Sequence, residues 1–371
     1  FESGDKPGGM MRWAIPEFRL PGDVLDRELS QLERLGIEFR CGQSVGEDPS
    51  LTDLARHYNA LIVASGCPQT IDLQIEGEDL AGVYSGMEVL QAGRLESGLG
   101  LSGSVVVIGG GNVAVDAAQV ALRLGADSAT IVSLELEDSL PAFPEEVTNA
   151  RRAGINFEPA WGPVRFFGDR GLVSGVELQH CTSVFTPSGV FEPQFDSCTL
   201  KTIPADTVIV AIGQKRDGTL FKELPEVDPL TLQAGDSNIF LAGDCRTGPS
   251  SVVEAMAHGR WAAESVRRFL CGEHLGYGRS YRGPIETEFE IDTSPGSDAP
   301  RVRPPHRDFS GSGDFSELER RLEEAAARTE AGRCYSCGQP FGKFRTCWFC
   351  LPCEVECPED ALWVEVPYLL R

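Results

Sequence analysis

The sequence predicts an α/β fold with a small cysteine-rich module at its C-terminal end, and three observations lead there. Residues 104–133 run from an apolar strand through Gly109-Gly110-Gly111 into a helical stretch over 113–124, stop at Gly125 and resume as a strand over 129–133. That order is the βαβ opening of a parallel sheet. Residues 206–213 form another apolar strand closed by glycine and resemble residues 61–66, which suggests two related halves, each presenting a strand end to a nucleotide. Third, six of the twelve cysteines crowd into the last forty residues, from Cys334 to Cys357.

In chain order, Asp23 is expected to cap a helix from Val24 to about Leu35, with Leu25, Leu29 and Leu32 on one face and Gly36 as its stop. Residues 60–64 read as a buried strand ending at Ser65-Gly66. After the βαβ unit and the strand that ends at Gly213, residues 238–244 give a further strand and turn, closed by Gly243-Asp244. A helix then runs from about Ser251 to Phe269. Between Gly276 and Gly313 the chain is rich in Gly, Pro, Ser and Arg without apolar periodicity, which reads as a linker or strap. Ser316 and Glu319 offer a capping box for a short helix leading to Cys334.

Composition excludes several classes of function. The chain has 371 residues, 41% hydrophobic and 24% charged, as expected of a globular protein with two or three domains. A formal charge of -23 repels phosphate backbones and anionic membranes, so nucleic acid is not an expected partner. The longest apolar runs are strand-length, too short to span a bilayer. No secretory signal is visible, and cysteines grouped at metal-ligand spacing suit a reducing compartment, so a cytoplasmic location is expected.

Gly109, Gly111 and Ala114 fit G-x-G-x-x-A directly after a strand and at the opening of a helix, with Asn112 inside the turn. The first glycine permits the turn, the second lets a pyrophosphate approach the backbone, and the alanine lets helix and strand pack closely. The helix N-terminus supplies positive potential to the phosphates. Glu135, just past the next strand, can accept from adenosine ribose hydroxyls and would repel a 2′-phosphate, so NADH is favoured over NADPH. At the other end, Cys334, Cys337, Cys347, Cys350, Cys353 and Cys357-Pro358 contain the C-x2-C-x2-C-x3-C-P spacing of cubane iron–sulfur clusters. Zinc held by Cys334, Cys337, Cys347 and Cys350 is the competing assignment, but Cys353 and Cys357 would then be surplus. One 4Fe–4S cluster is expected, with a second only if a further ligand completes it.

These residues, together with residues 8–12, 14–21, 106–116, 141–142, 211–213 and 241–263, resemble the glutamate synthase small-subunit family of FAD-dependent pyridine-nucleotide oxidoreductases over essentially the whole chain. The resemblance implies two nested Rossmann-like dinucleotide-binding domains and a small C-terminal ferredoxin-like iron–sulfur domain. The FAD domain would cover 1–100 and 216–275, the NAD(P)H domain 101–215, a linker 276–315 and the iron–sulfur module 316–371. It further implies that Glu2 binds the FAD ribose, that Gly8 and Gly9 approach the flavin, and that Gly243 and Asp244 hold the ribityl and pyrophosphate region. The helix starting at Ser251 would point at the flavin ring, while Gly66 and Gly213 close the strands that face the nucleotides.

The family's first glycine-rich loop would lie before Glu2, so the FAD domain is expected to be incomplete at its N-terminal side, as in a truncated chain with poor FAD affinity. The nine residues between Cys337 and Cys347 exceed the family spacing and leave the roles of those two cysteines open. The implied activity is electron transfer between NADH, FAD and a 4Fe–4S cluster, on to a partner subunit or ferredoxin within a hetero-oligomeric complex, in either direction. A glutamate synthase small subunit feeding an amidotransferase, or a non-catalytic nucleotide-binding scaffold with a zinc ribbon, are the alternatives. No catalytic His or Cys is required; His258 reads as a core or solvent-facing histidine, and no C-x-x-C near the flavin half suggests a disulfide-reductase mechanism.

Overall fold

The computed structural model describes residues 1–46, 49–95, 99–222, 224–279 and 299–333. The chain divides into two compact units, Phe1–Leu275 with Asp308–Leu318, and Gly276–Arg307 with Glu319–Arg371. The six C-terminal cysteines, and with them the expected ferredoxin-like module, lie outside the described residues.

The first unit runs α1 (Met10–Trp13), α2 (Gly22–Arg34), α3 (Leu51–His57), β1 (Leu61–Val63), β2 (Gln69–Thr70), β3 (Val83–Ser85), α4 (Gly86–Leu95), β4 (Ser104–Ile108), α5 (Asn112–Arg123), β5 (Ser128–Val132), α6 (Pro144–Arg152) and β6 (Asn156–Glu158). It continues with β7 (Trp161–Asp169), β8 (Leu172–Phe185), β9 (Phe191–Pro204), β10 (Thr207–Val210), β11 (Gln214–Lys215), β12 (Ile239–Leu241), α7 (Asp244–Thr247) and α8 (Val252–Cys271). Among the described residues, β3, β10, β4, β5 and β6 form a parallel sheet in that order.

The strand β4 shows how sequence becomes layers. Its residues Val105 to Ile108 are all buried, as a parallel strand covered on both faces requires. Because side chains alternate, Val105 and Val107 join Ile131 and Ile209 against α4 and α5, while Val106 and Ile108 join Val132 and Val208 on the opposite face. That second face is covered by Phe166, Val176 and Leu178, from an antiparallel sheet of β7, β8 and β9. Sequence reading missed this sheet, since β9 is exposed along most of its length and its apolar residues, such as Phe191 and Leu200, face water.

Strands β1 and β12 pair in parallel, Leu61 with Ile239 and Val63 with Leu241, over a smaller core that includes Ala234. The chain crosses from this part to the five-stranded sheet after β2 and returns through β11, and these two strands pair antiparallel as a ribbon. Residues 308–318 turn back onto α5: Phe309, Phe315 and Leu318 pack on the larger core, Gly313 N donates to Arg123 O at 2.8 Å and Leu318 N to Phe18 O at 3.1 Å.

Two local expectations are corrected. Helix α2 begins at Gly22 after Pro21, without an Asp23 cap, because Glu17 Oε1 accepts from Gly22 N at 2.8 Å and leaves Asp23 inside the first turn. The Ser316 capping box does not form: Leu318 is buried in the first unit, and the helix α9 (Glu324–Ala331) starts later, with no side-chain cap. In the second unit, residue 306 bridges residue 319, and Val302 N donates to Glu330 Oε2 at 2.8 Å.

Candidate functional site

The turn after β4 is built so that two of its glycines serve opposite purposes. Gly109 has φ 139°, and a Cβ there would run into the carbonyl of Ala211 at the end of β10. Its N–H donates to Val132 O at 2.8 Å, so the turn is stitched to the strand beyond. Gly111 is the N-cap of α5 and has ordinary extended dihedrals, no side-chain cap and no atom within 4 Å of a hypothetical Cβ. The Cβ side of Gly111 is therefore open beside an uncapped helix start, an arrangement that suits a phosphate. Ala114 is fully buried, and a Cβ on Gly109 would stand 3.5 Å from the Ala114 Cβ, ordinary van der Waals contact, so it is the Ala211 carbonyl that excludes a side chain at 109.

The turn is braced from the following loop: Ala142 N donates to Gly110 O at 3.0 Å, and Phe143 N to Asn112 Oδ1 at 3.0 Å. Asn112 thus holds the loop with its side chain. A Cβ on Gly110 would lie 2.8 Å from Glu135 Oε2, so the Glu135 carboxylate overhangs the glycine-rich turn. The Glu135 backbone is fixed in turn by Ala160 N, which donates to its carbonyl at 2.8 Å. Gly213 follows β10, beside the turn through Ala211 N, which donates to Ile108 O at 2.8 Å. Structure thus brings Gly109, Gly111, Asn112, Ala114 and Glu135 together, while Gly213, whose carbonyl accepts from Ile71 N at 3.3 Å, lies where the chain enters the return ribbon.

A second group gathers where β1 and β12 end. Gly243, at φ 73°, turns the chain into Asp244, whose Oδ1 accepts from Ser250 Oγ at 3.1 Å. Cys67 Sγ, next to Gly66, donates to Asp244 O at 3.3 Å. Gly66 and Gly248 have positive φ and nothing within 4 Å of a Cβ, so this end of the sheet offers bare backbone to a ligand. Ser251 caps α8 through a full capping box, accepting from Glu254 N at 3.2 Å while Glu254 Oε2 accepts from Ser251 N at 3.1 Å. Its hydroxyl is engaged in shaping the helix end. Beyond it Val253 and Met256 are exposed.

Glu2, Gly8 and Gly9 form a third group on the N-terminal segment. Glu2 Oε1 accepts from Gly4 N at 2.8 Å, and Gly9, at φ 52°, is open on its Cβ side and starts α1. The thiols in the described part are all free, and burial pushes Cys67 and Cys245 up, away from reactive thiolates. His258 is half-buried on α8 beside Trp261, their rings 5.8 Å apart.

A family model described as pyridine nucleotide-disulphide oxidoreductase matches residues 29–259. The chain belongs to this family. As a member of the pyridine nucleotide-disulphide oxidoreductases, it is 30% identical over 359 residues to the NADP(+)-dependent formate dehydrogenase subunit beta of Moorella thermoacetica, covering 91% of this chain and 50% of that protein. It is 32% identical over 278 residues to the NAD-dependent dihydropyrimidine dehydrogenase subunit PreT of Escherichia coli, covering 73% and 62%. To the NADPH glutamate synthase small chain of Halomonas elongata it is 30% identical over 296 residues, again covering 73% and 62%.

This family member thus spans half to less than two thirds of the length of the relatives it matches. The resemblance to glutamate synthase small subunits read from the sequence holds. Mycobacterium tuberculosis FprA in complex with NADPH shares the fold, with a TM-score of 0.61 at 18% identity over 73% of this chain and 77% of that one. Among the described residues no helix is long and apolar enough to cross a membrane.

Sequence reading missed one polar cluster. Arg19 donates from Nε to Asp116 Oδ1 at 2.6 Å and from its terminal nitrogens to both oxygens of Glu146, one at 2.7 Å. Asp116 is the one carboxylate within the small-residue stretch 113–118, and that was its only local signal.

Proposed function

We propose that this oxidoreductase passes electrons between NADH and, by way of FAD, a 4Fe–4S cluster held near the C-terminus, and from there to a partner subunit or ferredoxin. The observation that carries the reading is the open Gly111 at an uncapped helix start with the Glu135 carboxylate across the turn. A dinucleotide laid there would place its pyrophosphate on the first amides of α5 and its adenosine ribose towards Glu135. A 2′-phosphate would meet that carboxylate, so NADH is the preferred nucleotide.

The bare glycines Gly66 and Gly248, with Gly243, Asp244 and the N-terminus of α8, fit the flavin nucleotide: backbone can approach its phosphates, and a carboxylate can accept from its ribityl hydroxyls. Gly8 and Gly9 would face the same ligand from the N-terminal segment. FAD supplies the conversion between a two-electron hydride and single electrons. The protein's own residues bind, orient and exclude solvent, and the buried, unactivated Cys67 and Cys245 take no covalent part. Cys347, Cys350, Cys353 and Cys357 would hold the cluster; a second would need Cys334 and Cys337 together with further ligands from outside this run. The names of the relatives, each a subunit of a larger enzyme, support a hetero-oligomeric setting.

The test is anaerobic purification of the full-length protein, with flavin, iron and sulfide counted, followed by titration with NADH and NADPH. Flavin and about four irons per chain, reduced by NADH in preference to NADPH, are expected. Zinc without iron, or a colourless protein, overturns the electron-transfer reading; a preference for NADPH overturns the role of Glu135.

A further inference from the structure

The segment that carries Gly8 and Gly9 is fastened to the helices that carry the glycine-rich turn. Arg19 sits on that segment, and both its acceptors belong to the turn's own scaffold. Asp116 stands on α5 one helical turn beyond Asn112, and Glu146 on the first turn of α6, the helix held to the glycine-rich turn through Ala142 and Phe143. Arg94 of α4 grips the same segment from another side: it donates to Met11 O at 2.7 Å and pairs with Glu17, which also accepts from Gly22 N.

These are not surface pairs. The side chains of Arg19, Asp116 and Glu146 are 27%, 15% and 22% exposed, and that of Arg94 is 5% exposed. Removing charges from water costs several kcal/mol per ion, so apolar packing would have joined these elements at least as stably. What a forked guanidinium adds is direction, because two acceptors at set angles fix the position of the group that carries it.

We infer that Arg19, held by Asp116 and Glu146, is a positioning residue that sets the registry between the segment carrying Gly8 and Gly9 and the nicotinamide nucleotide on the Gly109 turn. The inference rests on the functional reading above. Hydride transfer needs its two carbon and nitrogen centres about 3–3.5 Å apart, and a misplacement of about 1 Å can cost about a hundredfold in rate. Arg19 touches neither glycine-rich turn, so its loss lowers the rate at saturation and spares nucleotide affinity.

The pH profile carries a signature of this role. Burial pushes the Asp116 carboxyl up to about 6 against the pull of Arg19, with Glu146 adding to the rise and Arg123 opposing it. For Arg19, burial alone would weaken proton affinity, but the bonds to Glu146 and Asp116 prevail and keep it charged. Above pH about 6 Asp116 is ionised and completes the fork; as the pH falls through that value it takes a proton, and only Glu146 still holds the guanidinium as an ion pair.

The experiment uses the FAD-loaded, full-length protein and reads three quantities: NADH affinity by fluorescence titration, the rate of flavin bleaching at saturating NADH, and amide exchange across residues 8–20. Arg19→Ala is expected to keep NADH affinity within about twofold, slow bleaching by about ten- to a hundredfold, and speed exchange across the segment. Arg19→Lys recovers part of the rate. The near-isosteric Asp116→Asn keeps NADH affinity and loses the inflection near pH 6. Bleaching at the wild-type rate in Arg19→Ala, an unchanged inflection in Asp116→Asn, or parallel losses of affinity and rate overturn the positioning role. A wild-type flavin that NADH leaves untouched overturns the functional reading and this inference together.

Discussion

Gly109 and Gly111 stand two positions apart in one turn and respond differently to a methyl group. At Gly109 the backbone has φ 139° and a Cβ would meet Ala211 O, so Gly109→Ala should lower stability by about 1–3 kcal/mol, seen as a drop in melting temperature. At Gly111 the dihedrals suit any residue and the space beside it is open, so Gly111→Ala should leave the melting temperature nearly unchanged while weakening NADH binding about tenfold. Equal losses of stability in the two variants would show that the open side of the turn is structural. On the proposed function, Glu135→Gln, which removes charge and keeps shape, should lower the ratio of the NADH to the NADPH kcat/KM by about tenfold, or about 1.4 kcal/mol. Both glycines were legible from a motif of six consecutive residues, and Glu135 from its place just past the next strand. The overhang of Glu135 above Gly110 was not, since it depends on how β4 and β5 lie side by side.

Elements show the same contrast between local and remote causes. Helix α8 is anticipated from Ser251 to about Phe269 and runs Val252–Cys271, because its Ser251 and Glu254 capping box and its Gly272 stop lie in the adjoining sequence. Ser251→Ala should cost about 1 kcal/mol in denaturant unfolding and leave the helix otherwise intact. The strap at residues 308–318 gave no such signal. It is held by Arg123, buried with its guanidinium 4.1 Å from the centre of Phe18 and 4.6 Å from that of Phe309, and donating from Nε to Asp314 O at 2.8 Å. Arg123→Ala removes this stack as well as the charge, at a cost on the order of 2 kcal/mol, and should raise amide exchange in 308–318 more than in the β4–β5 core. Uniform exchange across the unit would show that the strap is held by its phenylalanines alone. The Ser316 box failed as a helix signal for the related reason that Leu318 gains more by burial than the box gains by capping.

For the whole molecule, the glycine-rich turn belongs to one compact unit and the proposed cluster ligands to the other. Serine in place of Cys350 and Cys353 should abolish transfer to an external one-electron acceptor while NADH-driven flavin bleaching persists, checked by stopped-flow absorbance with and without that acceptor. Loss of bleaching in this variant would mean that the C-terminal module supports the nucleotide sites themselves.

The sequence alone determined the βαβ unit around Gly109, the strand ends at Gly66, Gly213 and Gly243, the α8 helix and the cysteine spacing. Periodicity, capping, turn conformation and ligand spacing all act between residues a few positions apart. Tertiary structure alone decided that an antiparallel sheet covers one face of β4, that residues 308–318 close onto α5, and that Arg19 reaches Asp116 and Glu146 across 97 and 127 positions. Such contacts have no signature in the residues around them, because they arise only when surfaces built far apart in the chain are buried against each other.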